Sequence, residues 1–204
     1  MTGGLVVAID GPAGSGKSTV ARAVAERLGL EVLDTGAMYR AVTALALRAG
    51  LDPGDADKVA LLAAESRLEL EGGRVRAGDL DLTDELRTEA VNRTVSVVAA
   101  HPGVREVLVA RQRAWIEVHD GGVVEGRDIG TVVAPTARVK VFLTATDAER
   151  ARRRTEEHEG SVKNRDRLDE GRAASPLRRA GDAHELDTTD RDVEDVVDEV
   201  LGLL

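Results

Sequence analysis

"LVVAIDGPAGSGKST", residues 5–19, decides the fold. Leu5 to Ile9 form an unbroken apolar run ended by Asp10, the pattern of a strand covered on both faces, as in a parallel sheet. Gly11 and Gly16 follow, five positions apart, then Lys17 and Ser18, and the next residues, "KSTVARAVAERLG", are apolar at helical spacing up to Gly29. Strand, glycine loop and helix in this order make a phosphate-binding loop. The backbone of Gly11, Pro12, Ala13, Gly14, Ser15 and Gly16 is expected to wrap its N–H groups around a β-phosphate, with the helix N-terminus adding partial positive charge. Lys17 would reach the β- and γ-phosphates, the Ser18 hydroxyl suits Mg²⁺ beside ATP, and Thr19 suits the α-phosphate. The bland alternative is a glycine-rich turn with no ligand. Lys17 weighs against it, because in a chain of 28 basic residues the lysines are Lys17, Lys58, Lys140 and Lys163 alone.

Outward from the loop, "LEVLD" (30–34) reads as a second strand and "GAMYRAVTALALRAG" (36–50) as a second helix. The pattern then changes: "LELEGGRVR" (68–76) is two alternating runs around Gly-Gly, a β-hairpin foreign to strand–helix alternation. Residues 88–118 return to helix, interrupted at His101-Pro102, and "GGVVEG" (121–126) and "VKVFLTA" (139–145) are buried strands. A highly charged helical stretch from Thr146 to about Arg179, a short strand "HELD" and an amphipathic helix from Asp192 complete the chain. Five core strands separated by helices predict a three-layer α/β domain with a five-stranded parallel core sheet.

The length of 204 residues suits one such domain. The net charge is −9 and the aromatics are one each of Trp115, Tyr39 and Phe142, which argues against nucleic-acid binding by charge or by stacking. There is no cysteine, and the four histidines lie far apart without metal-ligand spacing. No apolar run reaches membrane length, so a cytoplasmic protein without a membrane partner is expected.

A phosphate loop does not by itself separate a GTPase, a motor ATPase and a small-molecule kinase. The chain has no Asn-Lys-x-Asp, no Asp-x-x-Gly switch and no long apolar strand ending in Asp-Glu. Arginines stand at element ends instead. "LDTGAMYR" puts Thr35 and Arg40 just beyond a strand, where an anionic second substrate would bind; the alternative is a helix cap and a solvated arginine. In "VVEGRDIGTVV" (123–133), Arg127 and Asp128 read as a surface ion pair, a metal-holding acid or a charge pair that reads a substrate; the second is disfavoured because Gly126 and Arg127, not apolar residues, precede Asp128. Arg165, Asp169 and Arg172, at spacings of four and three, would share a helix face, as substrate ligands or as a solvated salt-bridge ladder.

Taken in order, "IDGPAGSGKST", "LDTGAMYR", "VEGRDIGTVV", "VKVFLTA", "RDRLDEGRAASPL" and "DTTD" closely resemble bacterial cytidylate kinases, nearly end to end. The resemblance implies a P-loop nucleoside-monophosphate-kinase fold: a core over residues 1–59, 91–148 and 180–204, a small monophosphate-binding insertion at about 60–90, and a short helical lid at about 149–179. It implies transfer of the γ-phosphoryl group of ATP to CMP or dCMP with Mg²⁺, by a monomer. Carried onto this chain, Thr35, Arg40 and Arg127 would hold the acceptor's phosphate, and Ser96, Arg105 and Asp128 would read cytosine. Arg165, Asp169 and Arg172 would reach ribose and phosphates from the lid, with Lys17, Arg127, Arg165 and Arg172 acting in catalysis. The stretch "TEEHEGSVKN" (155–164) is shorter than the lid segment usual in that family. Other phosphate-loop kinases are the nearest rivals, and a nucleotide-binding module without turnover is the rival of a different class.

Overall fold

The structure, a computed structural model, describes residues 4–153 and 177–204. These fall into two compact units, residues 4–34 with 113–153 and 177–204, and Thr35–Gln112.

The larger unit is built on a sheet of five parallel strands. They are β1 (Val6–Asp10), β2 (Val32–Asp34), β6 (Gly122–Gly126), β7 (Val139–Thr144) and β8 (His184–Asp187), in the spatial order β2-β6-β1-β7-β8. Every expected core strand is present. Side chains alternate across a strand, so Val7 and Ile9, with Val123, Val139, Val141, Leu143 and Leu186, share one face. That face is closed by Val20, Ala21, Val24 and Ala25 of α1 (Lys17–Leu28) and by Val196, Val197 and Val200 of the terminal helix α7 (Val193–Leu201). Helix α1 stops where the sequence predicts: Gly29 takes φ 64°, and Leu30 N–H returns to Ala25 O at 2.9 Å. The order also fixes where ligands go. From β1 the chain crosses to β2, leaving a gap that β6 fills, while β7 lies on the other side; a doubly wound sheet binds its ligands at such a reversal, beyond the carboxyl end of the strand.

The second unit contains α2 (Thr35–Arg48), α3 (Ala56–Glu65), β3 (Leu68–Glu71), β4 (Arg74–Ala77), β5 (Leu80–Asp81), α4 (Glu89–Val98) and the first part of α5 (Pro102–Val118). The expected hairpin is β3–β4, turning through Gly72 and Gly73 at φ 56° and 79°, and β5 adds a third strand too short to read from the sequence. Val75, Leu82, Leu86 and Val91 pack on Ala37, Ala41 and Ala44 of α2. The hairpin therefore shares its core with α2 and α4, and the compact unit is longer than the stretch that breaks the strand–helix alternation. Of the charged stretch after β7, α6 (Asp147–Arg153) is described, while most of the expected lid, including Arg165, Asp169 and Arg172, lies outside the described residues. Among the described residues no helix is long and apolar enough to cross a membrane.

Candidate active site

The loop Gly11–Ser18 joins β1 to α1, at the point where the strand order reverses. Its shape requires glycine. A Cβ on Gly11 would stand 2.2 Å from Leu143 O, and Gly14, at φ +77°, would drive one to 2.7 Å from Arg150 O. Lys17 is buried and donates from Nζ to Pro12 O at 2.7 Å, so the ammonium group lies over the loop that its own helix begins. Arg150 of α6, also buried, donates to Ala13 O at 3.1 Å and pairs with Asp147 at 2.6 Å. Ser15 Oγ is fully buried without a hydrogen-bond partner among the described residues. Gly16, at φ 87°, precedes α1 and offers no side-chain cap, and the Thr19 and Val20 N–H groups return to its carbonyl at 3.1 and 3.0 Å. A basic, donor-rich cradle of this kind suits the phosphates of a nucleotide.

Beyond β6 the charges converge on this loop. Arg127 donates from Nη1 to Gly11 O at 2.8 Å. Asp128 is buried at the head of a π-helical turn, Ile129–Val133. Two further acids join them. Glu125, buried at the end of β6, accepts a hydrogen bond from Ser18. Burial pushes its carboxyl above the usual range, and Asp34 at the end of β2 adds to this, while Lys17, the Ser18 bond and Arg127 oppose it. Asp10 ends β1 with its carboxylate accepting from Ile129 N and Gly130 N, both at 2.8 Å. Desolvation, with the Asp128 charge adding to it, raises its pKa to about 6 against those two bonds and the Lys17 charge. The sequence reading missed Glu125 and Asp10. The available signal was an acid closing each of two adjacent apolar strands, the carboxyl-end position that parallel sheets give to ligand-facing residues.

Ser18, Glu125 and Asp34 supply hard oxygen donors of the sort Mg²⁺ takes, so the residues fit that ion.

In the smaller unit, Thr35 opens α2 as a buried residue, and Arg40 donates to Asn92 Oδ1 at 2.6 Å and to Leu86 O at 3.3 Å. Asn92 and Ser96, four residues apart on α4, share a face. The buried Arg105 of α5 lies 5.5 Å from the centre of the Tyr39 ring and donates to Ala99 O at 3.3 Å. This unit thus gathers four of the expected acceptor residues, Thr35, Arg40, Ser96 and Arg105. To them it adds Asn92 and Tyr39, which pattern alone did not single out. Arg127 and Asp128 are described with the larger unit, and Arg165, Asp169 and Arg172 fall outside the described residues.

A phosphate loop at the switch point of a parallel α/β sheet defines a P-loop nucleotide-binding protein. The chain belongs to the cytidylate kinase family, whose model matches residues 7–204. It is 48% identical to a cytidylate kinase of Geobacillus kaustophilus (strain HTA426), over 97% of this chain and 95% of that one. It is 44% identical to a cytidylate kinase of Mycobacterium avium (strain 104), over 100% and 96%. The solved structure of TT1252 from Thermus thermophilus is similar in fold, with a TM-score of 0.51 at 22% identity over 98% of both chains.

Proposed function

We propose that the protein is an ATP:(d)CMP phosphotransferase in which Lys17 and the loop Gly11–Ser18 hold the donor phosphates and arginines neutralise the group in flight. A chain of this family phosphorylates CMP and dCMP, giving CDP or dCDP and ADP. Phosphoryl transfer between nucleotides is mostly positioning and charge neutralisation, so no strong base is required. Mg²⁺ held by Ser18, with Glu125 and Asp34 beside it, would neutralise donor phosphate charge when bound. Support for Arg127 in catalysis is its bond to Gly11 O: it places a guanidinium at the first residue of the loop that takes the phosphates.

For the acceptor, Thr35, Arg40 and Arg127 bind the α-phosphate of CMP, and Ser96, Arg105 and Asp128 read its base. The N4 amine of cytosine donates and suits the Asp128 carboxylate, while O2 and N3 accept and suit Arg105 and Ser96. Uracil would turn its O4, an acceptor, toward the same carboxylate and be rejected. Arg165, Asp169 and Arg172 complete the acceptor contacts, and the basic stretch of about residues 150–172 closes over both nucleotides to exclude water. The net charge of −9 supports small nucleotides rather than nucleic acid as partners, and we assign the enzyme to the cytoplasm as a monomer.

Coupled ADP release measured with CMP, dCMP, UMP, AMP and GMP tests this reading. CMP and dCMP should be the preferred acceptors, with little ADP formed when no acceptor is present. Preference for any other nucleotide would overturn the assignment, and ATP binding without acceptor-dependent ADP release would favour a module without turnover.

A further inference from the structure

The turn that carries Asp128 is held by charged residues at both of its ends. Ile129–Val133 is π-helical: Val133 N–H returns to Asp128 O at 3.3 Å and Ala134 N–H to Ile129 O at 2.8 Å. Single π turns inside proteins are uncommon and concentrate at functional sites, because the wider winding leaves backbone groups in need of partners. At its start, the N–H groups of Ile129 and Gly130 are both taken by Asp10, one on each carboxylate oxygen, 2.8 Å each. At its end, the Arg113 guanidinium donates to Val132 O at 2.6 Å and Val133 O at 3.2 Å. The carboxylate thus sits on the donor end of the turn and the guanidinium on its acceptor end, each making paired bonds.

The packing around Gly130 leaves little room for another arrangement. A Cβ there would lie 3.3 Å from Lys140 Cδ, 3.4 Å from Asp10 Oδ2 and 3.5 Å from Ala180 Cβ. Lys140 itself is tied to Pro135 O at 2.5 Å and to Asp182 at 2.7 Å, so the chain just beyond the turn is also pinned. Asp10 is 4% exposed, and a buried carboxylate beside a second buried acid is unfavourable unless the backbone bonds it makes are needed.

We propose that Asp10 and Arg113 are positioning residues for acceptor selection: by clamping the two ends of the Ile129–Val133 turn, they hold Asp128 where it reads the base. This rests on the reading of Asp128 as the cytosine-reading carboxylate. Neither residue touches the nucleotide; each acts through the turn. Asp10 also ends the strand that leads into the phosphate loop, so one side chain connects the donor loop to the acceptor reader.

The test is the ratio of kcat/KM for CMP to that for UMP in Asp10→Asn, Arg113→Ala, Arg113→Lys and Asp128→Ala, with each substitution at position 10 or 113 also made in the Asp128→Ala background. Asn at 10 keeps one acceptor but faces the second N–H with an amide donor. Arg113→Ala is expected to lower the ratio about tenfold through KM for CMP, with KM for ATP unchanged, and Arg113→Lys to recover part of it. In the Asp128→Ala background neither substitution should change the ratio further. If Asp128→Ala collapses the ratio while the Asp10 and Arg113 variants leave it intact, the clamp proposal is overturned. An unchanged ratio in Asp128→Ala instead removes the base-reading assignment on which it rests. If Asp10→Asn does not fold, as far-UV circular dichroism would show, the two Arg113 variants carry the same decision.

Discussion

Arg127 Nη1 donates to the Gly11 carbonyl at 2.8 Å, so the arginine that follows β6 is braced on the first residue of the loop that follows β1. The bond uses one of the guanidinium's five N–H donors and sets the planar, charged fork beside the phosphate loop.

The first prediction follows from that brace. Arg127→Ala should lower kcat by about 10²–10³-fold, the size of effect seen when a preorganised donor is removed from a developing charge. Arg127→Lys should restore only part, because an ammonium group cannot brace the loop and serve the phosphate in the same planar fork. Affinity for a non-hydrolysable ATP analogue should change much less than kcat. A kcat within about twofold of the unsubstituted enzyme would take Arg127 out of catalysis.

Glu125 calls for a separate measurement. It accepts the Ser18 hydroxyl, lies near Asp34 and Lys17, and has its carboxyl pushed upward first by burial. Burial disfavours its charged form while nearby positive charge favours it, so a cation bound at the site would hold it ionised. Glu125→Gln keeps shape and hydrogen bonding but removes the charge, and should raise the Mg²⁺ concentration for half-maximal effect by about tenfold, read both in turnover and in Mg²⁺-dependent quenching of a fluorescent ATP analogue. Identical Mg²⁺ titrations for the two proteins would show that Glu125 supports the loop without serving the ion.

Asp10 gives a dependence of stability on pH with a definite sign. Its pKa is 3.8 in the unfolded chain and about 6 in the folded protein. Between those values the folded state holds a proton that the unfolded state has released, so this residue's contribution to stability falls as pH rises and is fully lost above about pH 6. At about 1.4 kcal/mol per pKa unit the cost at neutral pH is about 3 kcal/mol. Asp10→Asn cannot titrate. Urea unfolding of both proteins from about pH 4 to 7 should show the substituted protein gaining stability relative to the unsubstituted one as pH rises, with most of the change complete by about pH 6. Glu125 and the other acids are common to both proteins and drop out of the difference. A difference that is flat with pH would mean that Asp10 is ionised across the whole range.

Local patterns accounted for much of this. "LVVAIDGPAGSGKST" carries strand, loop and the start of a helix in one stretch because each is a short-range matter: an unbroken apolar run for the strand, glycine for the loop, helical spacing up to Gly29 for α1. The break at His101-Pro102 and the Gly72-Gly73 hairpin were legible for the same reason. Strand β5 was not, since two residues, Leu80 and Asp81, hold no period, and pairing with β4 alone makes them a strand. Nor was the extent of the smaller unit, because the apolar face of α2 gives no sign of whether the sheet or the hairpin will cover it.

The sequence by itself determined the phosphate loop, the five core strands and the family, since these rest on residue types at fixed spacing along the chain. The tertiary structure alone decided the strand order, and with it that β6 lies beside β1, so that Glu125 meets Ser18 and Arg127 meets Gly11. It also decided that Asp10 bonds a turn 119 residues away. A buried carboxylate must find donors wherever packing brings them, and that partner is fixed by the fold of the whole unit, not by its neighbours in the chain.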